Sequence, residues 1–273
     1  MKHESGQVLL ITLLVLTIAT TVALSLIGRS TTDVAISTQL EESARAFSAA
    51  EAGIEEALRS GESGSEVFSA GASYSVAVTS IGGAAGTYRF PRKTPRGVTE
   101  TIWLVAHDAA GAVVETPTYT AASIGLCWSA ETTVPALAVS VLYKEGTDGS
   151  YKVARSAFDP DTVRAAANNF SSGGAAGTNC GIANYYRQNI NFTSLGITPT
   201  QDAIIALRIR PEYADTTLVV DPGAVVLPQQ GKRIESTGST QAGVSRKVIV
   251  YQQYRAATTI FDSVIYSQSS FGH

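Results

Sequence analysis

VLLITLLVLTIATTVALSLI, residues 8–27, is a run without a single charged side chain. About 20 apolar residues at ~1.5 Å each cross the ~30 Å hydrocarbon core of a bilayer, so the run has the length of one membrane span. A secretory signal peptide would close on small residues of the Ala-x-Ala kind and release the chain. Ala23-Leu24-Ser25-Leu26-Ile27-Gly28-Arg29 offers no such site. The helical pattern continues instead. Apolar or small residues recur at Ile36, Leu40, Ala44, Phe47, Ala50, Ile54, Ala57 and Leu58 in steps of mostly three and four. Glu41, Glu42, Arg45, Glu55, Glu56 and Arg59 fall mostly between them. Residues 1–59 contain no proline, so 7–59 reads as one helix, a rod of ~80 Å that is apolar all round in its first half and striped in its second. Thr17, Thr20, Thr21, Ser25 and Gly28 follow helical spacing in the first half. Their small groups either permit close helix packing or bond back to carbonyls one turn earlier, and the two readings are compatible.

Beyond the rod the composition changes. Ser60-Gly61-Glu62-Ser63-Gly64-Ser65 is a polar stop, and the chain after it is rich in Gly, Ser and Thr, as short strands with many turns are. Strand patterns occupy 74–79, 203–209, 216–220, 224–227, 244–254 and 263–267. Residues 99–107 and 112–118 flank Asp108-Ala109-Ala110-Gly111, and 136–144 and 150–158 flank Glu145-Gly146-Thr147-Asp148-Gly149, two hairpin patterns. A short helix is predicted over 160–170, with Asp159 as its cap and Pro160 at its first position. The predicted fold class is therefore α+β: a long N-terminal helix over 7–60, membrane-spanning at 8–27 and then amphipathic, followed by a predominantly antiparallel β head over 61–273 with room for a division near residue 120.

The 273-residue chain carries a net charge of −3, which gives no basic field for nucleic acid. Histidine occurs only at 3, 107 and 273, so a nucleophile-base-acid set has His107 alone to recruit, and His107 beside a turn reads as a solvated surface residue. Asp159 and Asp161 around Pro160 offer hard oxygen ligands for calcium, but helix capping accounts for them more simply. Gly82-Gly83-Ala84-Ala85-Gly86 lacks the lysine of a phosphate loop and reads as a turn. Tyr185, Tyr186, Tyr251, Tyr254 and Tyr266 supply aromatic area suited to adhesion or, more simply, to half-buried sheet packing. No catalytic, cofactor or metal residues are assigned. Cys127 and Cys180 form a disulfide if the head is exported; the alternatives are two unrelated thiols, or a zinc pair whose tetrahedron two thiols leave incomplete.

A short leader ending in Gly6, an immediate membrane-length run, a continuous helix and a β-rich head resemble type IV pilins and their pseudopilin relatives. The strongest local match, Glu41-Glu42-Ser43-Ala44-Arg45-Ala46-Phe47-Ser48-Ala49-Ala50-Glu51-Ala52-Gly53, resembles the helical signature of PilX-type minor pilins, on Arg45, Phe47, Ala50, Glu51, Ala52 and Gly53. Stretches 124–129, 205–215 and 234–246 are similar to exported pilin-like proteins. The resemblance implies that residues 1–6 are a leader cut between Gly6 and Gln7 by a prepilin peptidase, then methylation of the new amino terminus. It implies a single-pass precursor in the bacterial inner membrane with a cytoplasmic N-terminus, an inner-membrane assembly platform, and packing against other pilin subunits in an extracytoplasmic or cell-surface filament, with no cofactor. Major pilins carry a glutamate where this chain has Ile11, and Gln7 replaces the usual Phe. A subunit at the tip, or one that starts assembly, has no neighbour needing that carboxylate, so the resemblance implies a minor pilin or pseudopilin. The rivals are a non-polymerising, single-pass anchored surface binding protein and an anchored hydrolase.

Overall fold

The computed structural model describes residues 5–69, 71–176, 180–182 and 185–259. In chain order the elements are helix α1 (Ser5–Ser60), strands β1 (Gly64–Val67), β2 (Ala72–Ile81), β3 (Tyr88–Arg89), β4 (Glu100–Trp103), β5 (Ser123–Ser129), β6 (Ala136–Lys144) and β7 (Tyr151–Asp159), helix α2 (Thr162–Asn168), then β8 (Ser171–Ser172), β9 (Ala175–Ala176), β10 (Tyr185–Asn191), β11 (Ala203–Glu212), β12 (Leu218–Asp221), β13 (Gly231–Thr240) and β14 (Ser245–Gln253). Every described pairing is antiparallel except β7 with β8. The fold is α+β, with the long helix first, as expected.

The chain divides into two units. The first takes the chain up to Thr79 and then Arg233–Tyr251; the second takes Ser80–Lys232 and the chain from Gln252. Since β2 and β13 are neighbours in one sheet, ordered β1-β2-β13-β14, the second unit is an insertion between adjacent strands of the first. Residue 120, where a division was expected, lies inside the second unit.

In the first unit the end of α1 packs on that sheet. Ile54 and Ala57 meet Tyr74 and Val76 of β2 and Ile234 of β13, all buried. The approach is close because both sides are small. At Gly238 of β13 an added Cβ would stand 2.5 Å from the Ala50 backbone nitrogen and against the Ala46 carbonyl. At Gly53 of the helix it would stand 2.7 Å from the Tyr74 ring. Gly238→Ala must therefore push the helix off the strand, an overpacking expected to cost about 1–3 kcal/mol in urea denaturation. An unchanged midpoint would contradict the contact.

The second unit is a sandwich of two five-stranded sheets, β3-β12-β5-β10-β9 and β4-β11-β6-β7-β8. Ile124, Leu126 and Trp128 of β5 share one core with Leu137, Val139 and Val141 of β6 and Leu207 and Ile209 of β11. Period-two alternation turns those side chains of β6 inward and Ala138, Ser140 and Leu142 outward. The predicted hairpin around 145–149 is present, with Lys144 opposite Tyr151.

Several expected elements differ. The hairpin around 108–111 narrows to a single bridge between His107 and Val113 beyond β4, although Asp108 closes the turn by accepting from the Ala110 and Ala112 N–H groups. Pro117 in the second expected strand has no N–H to give a ladder. Residues 224–227 form a loop, not a strand: Gly223 is left-handed at φ 71°, and Leu227 is apolar because the loop drops it into the core. Asp161, not Asp159, caps α2, accepting from the Val163 and Arg164 N–H groups. The strand predicted at 263–267 lies outside the described residues.

Candidate functional site

The candidate site is α1 itself. The Gly6–Gln7 junction lies in its first turns, and residues 1–4 of the expected leader lie outside the described residues. Its 56 residues reach about 80 Å. Every residue from 7 to 40 is exposed, including Leu9 at 70% and Leu24 at 68%. It is a helix long and apolar enough to cross a membrane, at the N-terminal end of the chain. The Thr17, Thr20 and Thr21 hydroxyls donate to carbonyls three or four residues earlier, at 2.8–3.0 Å. Each of these three hydroxyls is thereby satisfied within the helix, which is what lipid requires of it.

The signature residues divide by face. Ala46, Ala49, Ala50, Gly53, Ile54 and Ala57 form the stripe buried on the sheet, and Ala52 is half-buried. Arg45 donates to Glu41 at 3.0 Å and to Glu42 at 3.1 Å on the exposed side, where such pairs contribute little to stability. Glu51 is exposed. The expected stripe is thus corrected: Ile36, Leu40, Ala44, Phe47 and Leu58 are not part of the buried face. They run about a quarter-turn round the helix from it, with Phe47 and Leu58 each 45% exposed. The displacement follows from packing, since only small side chains fit where helix and sheet backbones nearly touch. The sequence signal for that choice was Gly53 among alanines. Ser236, against Gly53, and Gly238, against Ala46 and Ala50, lie far along the chain and were missed. The Ser236 hydroxyl is buried with no hydrogen-bond partner among the described residues, so smallness outweighs polar satisfaction at that contact.

The remaining candidate residues lie in the second unit. The Cys127 and Cys180 sulfurs are joined, with Cα atoms 6.3 Å apart, both residues buried with Val219. His107 is not a solvated surface residue. Its ring stacks on Tyr254 at 3.7 Å and meets the Trp103 ring edge-on at 4.8 Å, and Nδ1 is buried with no partner among the described residues. Burial pushes its imidazole below the ordinary value, against the pull of the Asp108 carboxylate. The calcium reading of Asp159 gives way to an ion pair: Oδ2 accepts from Arg164 Nε at 2.7 Å and Oδ1 from Nη2 at 2.8 Å. Tyr186 packs 5.9 Å from Trp128, whereas Tyr251 is 44% exposed; Tyr266 lies outside the described residues. Compared with protein-family models, curated proteins and solved structures, the chain finds no match.

Proposed function

We propose that the chain is a structural minor subunit, a minor pilin or pseudopilin, of a type IV pilus-like filament or secretion system. The observation that carries this reading is the exposed apolar surface of α1. It is apolar on every side from Val8 to Ile27, and beyond that it continues as the strip Ile36-Leu40-Ala44-Phe47 beside the face already occupied by the sheet. A membrane anchor needs only the first part. A strip reaching a further ~30 Å along the helix is surplus to a bilayer and suits packing against other rods. In this reading the precursor waits in the bacterial inner membrane with its N-terminus cytoplasmic. A prepilin peptidase cuts at Gly6–Gln7, and an assembly platform moves the rod from lipid into a helical core, where it packs against other pilin subunits. The chain makes or breaks no bond in another molecule and no cofactor is used.

Substituting Gly6→Leu places a side chain where the peptidase must approach the backbone. The native chain is expected in the sheared surface-filament fraction and the variant in the membrane fraction alone. Surface delivery of the variant at the native level would refute the proposal in favour of an anchored, non-polymerising binding protein.

A further inference from the structure

A cut at Gly6–Gln7 creates a new amino terminus at the head of a rod that offers it no counter-ion. Residues 7–28 carry no charged side chain, and the first charge beyond them, on Arg29, is itself positive. The first carboxylate of the rod is Asp33. Helix α1 is continuous between the two, so the helical rise holds Asp33 ~39 Å from Gln7. An α-amine titrates near about pH 8 and is therefore mostly charged at neutral pH. That charge would sit among the unpaired N–H groups of the first helical turn, at the positive end of the helix dipole. The side chains that follow it, Val8, Leu9, Leu10 and Ile11, are apolar and exposed. A partner that covers them would shut an unpaired ammonium into apolar surroundings, where it is strongly disfavoured.

The residue at the junction can remove the charge itself. Glutamine carries its amide carbon where attack by its own α-amine closes a five-membered ring, a step favoured by proximity. The neutral amine nitrogen bonds to Cδ, the Cδ–Nε2 bond breaks, and Nε2 leaves as ammonia with one proton from the amine. Nothing is oxidised or reduced, and no co-reactant is consumed. In the precursor the same nitrogen belongs to the Gly6–Gln7 peptide bond, whose resonance ties up its lone pair, so the cut is the trigger. The product is an uncharged lactam. Its ring constrains the first residue much as proline does, and proline suits the first position of a helix.

We propose that Gln7 cyclises to pyroglutamate once the leader is removed, so that the rod enters an apolar assembly with an uncharged amino terminus. This rests on the cut at Gly6–Gln7 and adds a modification that the cut alone does not require.

The test is mass spectrometry of the amino-terminal peptide of the full chain, recovered from cells with its peptidase. A synthetic peptide of the same sequence with uncyclised glutamine is carried through the same work-up. The cellular peptide is expected to begin at residue 7 and to be lighter by one ammonia, in a larger fraction than the synthetic one. In Gln7→Asn the ring could close only with four members, so the free amine should persist. That variant, once cut, should reach the sheared surface-filament fraction at a level about tenfold below the native chain. Three results would each overturn the proposal while leaving the cut in place: a free or methylated but uncyclised glutamine at residue 7, cyclisation no more extensive than in the synthetic peptide, or native-level delivery of a correctly cut Gln7→Asn chain. A chain that retains Met1 would overturn both.

Discussion

Asp159→Ala is expected to lower the stability of the second unit by about 3–5 kcal/mol, the cost of leaving one member of a buried ion pair without its partner. The Asp159 side chain is fully buried at the end of β7, and its oxygens accept from Arg164, from the Asp161 N–H at 3.0 Å and from Asn168 Nδ2 at 3.0 Å. Arg164 is fixed in turn by donating to the Val134 carbonyl at 2.6 Å and by lying 4.0 Å over the Tyr213 ring. Removing the carboxylate therefore strands a guanidinium that α2 holds in place. Burial by itself would raise the Asp159 pKa, but the Arg164 guanidinium and the two N–H donors outweigh it and hold the carboxyl below its ordinary value. The sign of the pH dependence follows: with the folded-state pKa depressed, the stabilisation is complete above about pH 4 and is lost as pH falls through the lower, folded value. Urea denaturation of the native chain and the variant checks both statements. A loss below 1 kcal/mol, or the same loss in acid as at pH 7, would contradict them.

Replacing both cysteines, Cys127→Ala with Cys180→Ala, is expected to cost about 4 kcal/mol by the loop-closure estimate for a sequence separation of 53. Cys127 lies mid-way along β5, between Arg187 of β10 and Val219 of β12, so one end of the bridge is anchored in the centre of a sheet. The other end is described only over residues 180–182, where the Cys180 N–H donates to the Tyr185 hydroxyl at 3.3 Å. The tether thus ties the chain at Cys180 to the centre of that sheet. Thermal unfolding should drop by about 10 °C in the double variant, and in the native chain under reductant. Equal melting temperatures would show that the loop closes without it.

Legibility in the sequence followed side-chain size. The long helix and the β6–β7 hairpin rest on large apolar residues at clear periods, and both were read correctly. Strand β13 was missed because its inward residues are Ile234, Ser236, Gly238 and Thr240. Three of the four are small or polar, since the helix backbone lies directly on them, and no hydrophobic alternation results. Strand β5 is buried on both faces from Ile124 to Trp128, so it is an apolar run without alternation. The displaced stripe on α1 has the same origin. Phe47 and Leu40 look like core residues by hydrophobicity, but alanines and Gly53 occupy the contact. For Asp159 the sequence pattern Asp-Pro-Asp suits a cap at either aspartate, and the choice turned on Arg164, whose position relative to β7 no local pattern specifies. Arg155 and Arg208 share one face for a related reason: strand register across β6 brings them there, and no local pattern specifies it.

The central claim is that α1 is a processed rod rather than a permanent anchor. Mass spectrometry of the intact mature chain, recovered from cells with its peptidase, tests this most directly. The account predicts an amino terminus at Gln7, with or without a methyl group. A chain that retains Met1, or one cut beyond Ile27, would contradict it.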